Sequence, residues 1–376
     1  EEIKNHPRVT YREGGPESTK TIFKEILADQ SKKEPAGVGT SGLAIDAIAT
    51  DYDKTLSEGA LKNNPGMAET IVDLLTAGVP FAVMSGSNVN TQMERMSLMK
   101  DVMAARGLSI EEQDRIISNF ILYGNGVGSK YTFRMVNDEK GESVMKAYLD
   151  RGYSDKNRIP QDDIDIIKVK LEEIVKNYIG TDSQGLARQD IRTVMGETPL
   201  PGGKGYYGPR KAPEFEARGS WVVETPEGWA VVLEGAKDAV FIPTLLAINN
   251  IFFQYIYDND NYLQQVKDYL KEKNLDGKYD VRHGGGKTGF TIEIFVTDLE
   301  KDVAMEDYIA SRKLEPKKTA YFGDEFYKGG NDVIFITTQR PNASQIKIFA
   351  VNVADLPAPE EIKNHPRVTY REGGPE

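Results

Sequence analysis

The chain predicts an α/β protein: a doubly wound parallel sheet with an inserted α+β domain. Three observations carry this. Apolar runs of strand length alternate with amphipathic stretches of helix length over residues 44–123 and again after about 290, the pattern of a parallel sheet flanked by helices. Two of the runs end in acidic clusters, LAIDAIATDYDKTL at 43–56 and AYFGDEFYKGGNDV at 320–333, at the carboxyl ends of strands, where open α/β sheets bind ligands. Between them, residues 130–289 lose the alternation.

In order, the first strand is expected over Ala44–Thr50, small and β-branched residues that stop at Asp51. A helix follows near Met67–Ala77, opened after Pro65 and Gly66 and closed at Gly78, with Ile71, Leu74 and Leu75 at helical spacing. Val79–Met84 reads as the next strand and delivers Ser85 at its end; Phe120–Tyr123 is a third, followed by the turn GNGVGS. In the insert, Ile164, Ile167, Leu171, Ile174, Val175 and Tyr178 mark one amphipathic helix, and Leu263, Val266, Tyr269 and Leu270 another. WVVETPEGWAVVL and YDVRHGGGKTGFTIEIF each read as two strands about a turn. After the insert come a helix over 301–312, a strand to Phe322, and final strands near Val333–Ile336 and Ile346–Val351. The expected boundaries are a tail and linker over 1–42, holding one amphipathic helix at TIFKEILADQ before the Pro-, Gly- and Ser-rich SKKEPAGVGTSG, a core over 43–129 and 290–356, an inserted domain over 130–289 and a tail from 357.

A chain of 376 residues, 39% hydrophobic and 28% charged, is long enough for about two domains and has the composition of a soluble globular protein. The net charge of −11 repels a nucleic-acid backbone. The absence of Cys excludes disulfides and thiolate metal sites. AVFIPTLLAINNIFF at 239–253 is too short and too interrupted for a membrane span, and no secretory signal pattern opens the chain, so a cytoplasmic protein is expected. Residues 1–17 recur letter for letter at 360–376. The expectation is an artefact of how the chain was assembled or numbered; the alternative is a terminal segment whose two copies compete for one docking groove.

The acidic clusters bear the chemistry. Several carboxylates gathered at strand ends need a counter-charge, which implies a hard divalent cation such as Mg²⁺ and hence phosphate chemistry. Four ordered stations, DYDKTL at 51–56, Ser85 in FAVMSGSN, Lys301 in EIFVTDLEKDVAMEDYI and GDEFYKGGND at 323–332, resemble the haloacid dehalogenase-like superfamily. The order is similar to its branch of sugar phosphatases and phosphomannomutases, whose α/β cap enters after the third core strand.

That resemblance implies a phosphate monoester hydrolase working through an aspartyl-phosphate. Asp51 would be the nucleophile and Asp53 the general acid and base. Thr55 and Ser85 would donate to phosphoryl oxygens. Lys301 would offset the clustered carboxylates, with Lys287 in GGGKTG as its rival. Mg²⁺ would be held by Asp51, the backbone carbonyl of Asp53 and Asp324, with Asn331 and Asp332 orienting or completing the shell and Glu325 as likely a solvated neighbour as a participant. The substrate implied is a small phosphorylated molecule, a sugar phosphate; a phosphohexomutase of the same fold and a non-catalytic binding or assembly protein are the alternatives. The sequence departs from the family pattern at Lys54, where Gly is common, at Ser87, where Arg is frequent, and at Asp302, where Gly is frequent; each bears on substrate contact or loop shape. In the insert, PLPGGKGYYGPRK at 199–211 offers Lys204, Tyr206, Tyr207 and Arg210 for stacking on a sugar and meeting a second anion, or is simply an exposed loop. The glycines at 124, 126 and 284–286 open no strand–helix dinucleotide unit, and nothing pairs His283 with a nucleophile.

Overall fold

The computed structural model describes residues 15–31, 44–57, 61, 64–87, 89–138, 141, 143–180, 215–225, 228–231, 239–248, 261–284, 291–326, 330–351 and 368–369. The helices are α1 (Gly15–Ser31), α2 (Pro65–Thr76), α3 (Val89–Met96), α4 (Leu98–Ala105), α5 (Ile110–Ile117), α6 (Arg151–Ser154), α7 (Gln161–Gly180), α8 (Asn261–Glu272), α9 (Lys301–Arg312) and α10 (Ile334–Thr337). The strands are β1 (Ala47–Thr50), β2 (Phe81–Met84), β3 (Phe120–Gly124), β4 (Ser129–Asn137), β5 (Ser143–Leu149), β6 (Phe215–Thr225), β7 (Gly228–Val231), β8 (Ala239–Ile248), β9 (Tyr279–Gly284), β10 (Thr291–Val296), β11 (Thr319–Gly323), β12 (Lys347–Ala350) and β13 (Val368–Thr369).

The chain divides into two compact units, residues 1–156, 220–241 and 300–376 in the first and 157–219 and 242–299 in the second. The first unit is an α/β fold. Its strands run β13, β12, β11, β1, β2, β3, β4, β5, β7, β6, parallel from β13 through β3 and antiparallel from β3 onward. The residues of β1, β2, β3 and β11 are buried throughout, which is why these strands read as unbroken apolar runs rather than alternating ones. From β1 the chain moves to β2 and β3 on one side and later returns to β11 on the other. The crevice at the carboxyl ends of β1 and β11 is therefore a topological switch point.

The stretch TIFKEILADQ at 21–30 lies within α1, which inserts Ile22, Phe23 and Ile26 into the core. Phe23 meets Phe81 edge-on at 5.5 Å and Phe322 at 4.9 Å. Two features differ from expectation. Residues 130–156 belong to the first unit, because β4 pairs with β3 and β5 with β4, continuing the core sheet in antiparallel sense; residues 290–299 belong to the second. Val333–Ile336 is not a strand: Ile334–Thr337 forms one helical turn, with Phe335 N–H donating to the Asp332 carbonyl at 3.2 Å and its ring 4.0 Å from that of Tyr321.

In the second unit, α7 and α8 pack with β9 and β10 around Ile164, Ile167, Leu171, Val266, Leu270 and Ile294, the stripe their periodicity marks. The strands β8, β10 and β9 are antiparallel, and Tyr279 donates its hydroxyl to Asp163 Oδ2 at 2.6 Å. Residues 199–211 and Lys287 lie outside the described residues. Among the described residues no helix is long and apolar enough to cross a membrane. Of the repeated ends, residues 15–17 open α1, whereas Val368–Thr369 of the second copy add to the edge of β12.

Candidate active site

Each central strand of the first unit hands over one functional side chain as it ends. Thr50 closes β1 and Asp51 follows, its N–H donating to the Phe322 carbonyl of β11 at 2.8 Å. Gly323 closes β11 and Asp324 follows; Met84 closes β2 and Ser85 follows, its N–H donating to the Tyr123 carbonyl at 2.8 Å. The neighbouring ladders thus hold three loops at one level.

Lys301, the first residue of α9, ties two of these loops together. Its Nζ donates to Asp51 Oδ1 at 2.9 Å, to Asp332 Oδ1 at 2.7 Å and to the Tyr321 hydroxyl at 3.2 Å, one acceptor for each ammonium proton. Tyr321 donates its own proton to Asp332 Oδ1 at 2.5 Å, and the Glu325 N–H donates to Asp332 Oδ2 at 2.9 Å. Asp332, fully buried, is thereby engaged at both oxygens from inside the protein. Gly323 makes room for it, since a Cβ there would overlap the Asp332 carboxylate; Gly330 likewise lies against the Glu325 carbonyl, where a Cβ would collide. These two close approaches account for Gly323 and Gly330 of GDEFYKGGND.

Thr55, buried, donates to Asp324 Oδ1 at 3.2 Å, so the first acidic motif also touches the strand-end residue of the second. Asp53 turns outward. Its side chain is 55% exposed and is gripped by Arg95 of α3, with Nη1 at 3.0 Å, while the same guanidinium stands 5.1 Å over the Tyr52 ring. Asn331 is exposed, with its backbone N–H toward Glu325 Oε2 at 3.4 Å. Lys54 has φ of 60°, the left-handed region that favours glycine, which explains why glycine suits this position.

The electrostatics follow from burial. Desolvation raises the Asp51 carboxyl far above its ordinary range, against the pull of Lys301 and with the help of Asp332. Desolvation raises Asp324 further still, to about 9, with Asp51, Asp332 and Glu325 adding to it. Burial by itself would lower the Lys301 ammonium, but Asp332 and Asp51 outweigh it and hold the group above the ordinary lysine value. Tyr321 is pushed well above the usual phenol by burial, then by Asp332 and Asp51, so it stays a proton donor.

Three carboxylates, Asp51, Asp324 and Asp332, thus share one ammonium. Full ionisation leaves two negative charges uncompensated, which a divalent cation would balance. Among the described residues no group of three or more His, Cys, Asp or Glu side chains is gathered to hold a metal ion. The donor set is instead Asp51 and Asp324, with Asp332 committed to Lys301. Two carboxylates fit Mg²⁺, which keeps several waters and commonly binds one or two carboxylates together with substrate phosphate oxygens.

The structure joins Asp51, Lys301 and Asp332 in one bonded set and Thr55 with Asp324 in another, sets Ser85 at the adjacent strand end, and leaves Asp53 and Asn331 toward solvent. Sequence reasoning missed Tyr321, Arg95 and Gln92. A Tyr within an apolar strand reads as core, and a helical Arg or Gln reads as surface; neither carries a signal that would have singled it out.

No family model matches the chain, and no curated protein matches it. Among solved structures, an N-terminally truncated Plasmodium falciparum IMP-nucleotidase is 12% identical over 89% of this chain and 78% of that one, with a TM-score of 0.45. A haloacid dehalogenase-like hydrolase from Bacteroides thetaiotaomicron is 12% identical over 88% and 94%, with a TM-score of 0.42. A Streptococcus mutans protein is 12% identical over 88% and 93%, with a TM-score of 0.40. Likeness of this degree says nothing of reaction or substrate, so the functional reading rests on the site itself.

Proposed function

We propose that the protein is a Mg²⁺-dependent phosphate monoester hydrolase that passes the phosphoryl group through Asp51 and acts on a small phosphorylated molecule such as a sugar phosphate. The observation that carries this reading is the placement of Lys301 Nζ, 2.9 Å from Asp51 and 2.7 Å from Asp332. A buried ammonium there opposes the desolvation that raises the Asp51 carboxyl, favouring the nucleophilic carboxylate, and supplies positive charge to a transferring phosphoryl group.

In the first half-reaction an Asp51 carboxylate oxygen attacks phosphorus and the ester P–O bond breaks. The leaving oxygen takes a proton from Asp53. In the second, water attacks the phosphorus of the aspartyl-phosphate, giving its proton to Asp53 and restoring Asp51. Ser85 has a hydroxyl suited to a phosphoryl oxygen, whereas the Thr55 hydroxyl donates to Asp324 Oδ1 at 3.2 Å and so would orient that carboxylate. Asp51, Asp324 and the Asp53 backbone carbonyl would hold Mg²⁺. When bound, the ion supplies charge neutralisation for the phosphoryl oxygens. The inserted segment would serve as a cap that excludes water during the first step.

The test is release of inorganic phosphate from a panel of hexose phosphates and nucleoside monophosphates, with and without chelator, using Asp51→Asn as control. Mg²⁺-dependent release abolished in the variant supports the reading. Isomerised hexose phosphate without net release indicates the mutase instead, and no turnover across the panel overturns both.

A further inference from the structure

The Ser85 hydroxyl accepts hydrogen bonds at both of its lone pairs. Its oxygen accepts from Gln92 Nε2 at 2.8 Å and from the Ser87 N–H at 3.1 Å. Both residues are buried, Ser85 to 2% and Gln92 to 1% exposure. A serine hydroxyl has two lone pairs and one proton. With both lone pairs taken, the proton is all that Ser85 has left to offer.

The surroundings keep this arrangement in place. Gln92 lies on α3, anchored by buried Val89 and Met96. The Ser87 carbonyl accepts from the Asn125 N–H at 2.9 Å, and Gly124 leaves space there, since a Cβ would come within 3.1 Å of that carbonyl.

The second observation concerns the other end of the amide. Gln92 Oε1 is buried with no hydrogen-bond partner, an arrangement that costs stability. Turning the amide over would have Ser85 donate to Oε1 and would leave Nε2 in the unpartnered position instead, so one end of the amide goes unpaired either way; the orientation present is the one that keeps the serine proton available.

We propose that Gln92 is a positioning residue of the phosphoryl site, fixing the Ser85 hydroxyl as a donor to the transferring group. The inference rests on the hydrolase reading above. It predicts that Gln92→Met, near in shape but with neither donor nor acceptor, lowers kcat/KM about 10-fold, the loss expected for one oriented hydrogen bond. Gln92→Glu, whose carboxylate would take the serine proton, should lower it about 100-fold, as a charged acceptor competes more strongly.

A double-mutant cycle with Ser85→Ala distinguishes positioning from a structural role. Gln92→Met should cost nothing further once the hydroxyl is gone. A full-size loss in the Ser85→Ala background, or an unimpaired Gln92→Met enzyme, overturns the proposal. If the wild type releases no phosphate, the hydrolase reading falls, and the same cycle is read from the rise in melting temperature given by orthovanadate. Equal loss of that rise in Ser85→Ala, Gln92→Met and the double variant supports Gln92; an unchanged rise in Gln92→Met, or no rise in the wild type, overturns it.

Discussion

Replacing Tyr321 by Phe removes one oxygen and leaves the ring. That ring is fully buried and tilted against Phe335, with centroids 4.0 Å apart, so packing is retained. What is lost is the 2.5 Å hydrogen bond to Asp332 Oδ1 and the acceptor 3.2 Å from Lys301 Nζ. A hydrogen bond to a charged group contributes about 1.5–3 kcal/mol net. Asp332 keeps Lys301 and the Glu325 N–H, so no oxygen is orphaned and the lower half of that range applies. Tyr321→Phe should therefore cost about 2 kcal/mol, or roughly 4–8 °C in melting temperature for a unit of this size. Urea unfolding should show a lower midpoint with an unchanged slope. Turnover should fall less than about 10-fold, since the phenol orients Asp332 and Lys301 without touching substrate. A stability change below about 0.5 kcal/mol, the level of an ordinary surface substitution, would refute the claim that this hydroxyl holds the network together.

Lys301→Met leaves Asp51 and Asp332 facing each other without their shared ammonium; removing one partner of a buried pair costs about 3–5 kcal/mol, to be seen in denaturant titration together with loss of turnover. The raised carboxyls set a pH dependence. Asp51, pushed up to about 7, and Asp324, pushed up to about 9, hold protons in the native state that the unfolded chain releases near 3.8. The metal-free protein should thus lose stability as pH rises from about 4 through about 9, and melting curves at pH 5 and pH 8 in chelator should differ far more than the same pair in saturating Mg²⁺. At Lys54, with φ of 60°, Lys54→Val should lower stability by about 1–2 kcal/mol while Lys54→Gly does not, as thermal melts of the two variants will show.

The legible parts of this protein are those whose signal is local. Parallel strands buried on both faces read as apolar runs, so β1, β2 and β11 stand out together with Asp51, Ser85 and Asp324 that follow them, and α9 matches its expected span of 301–312. Val333–Ile336 misleads because apolar, β-branched residues favour strands; the contact of Phe335 with Tyr321, a tertiary effect, makes this segment a helical turn. The antiparallel addition of β4 and β5 to the core sheet is invisible for the same reason: alternation tells which residues face inward, not which strand lies alongside. The stations DYDKTL and GDEFYKGGND could be placed at strand ends, yet Lys301 bridging Asp51 and Asp332 spans 250 and 31 residues of chain, a join that only folding reveals. Tyr321 and Arg95 bond across 11, 20 and 42 residues of chain and Gln92 across 7, none of them within a recognisable motif.

The account stands or falls on Asp51 carrying the phosphoryl group. Rapid acid quench during turnover of a cleavable monoester, followed by borohydride reduction and peptide mass spectrometry, reads this directly, because reduction converts a phosphorylated aspartate to homoserine. Homoserine at position 51 in the wild type, absent without substrate, is the predicted result. Turnover with no homoserine at 51, or with it at another aspartate, would contradict it.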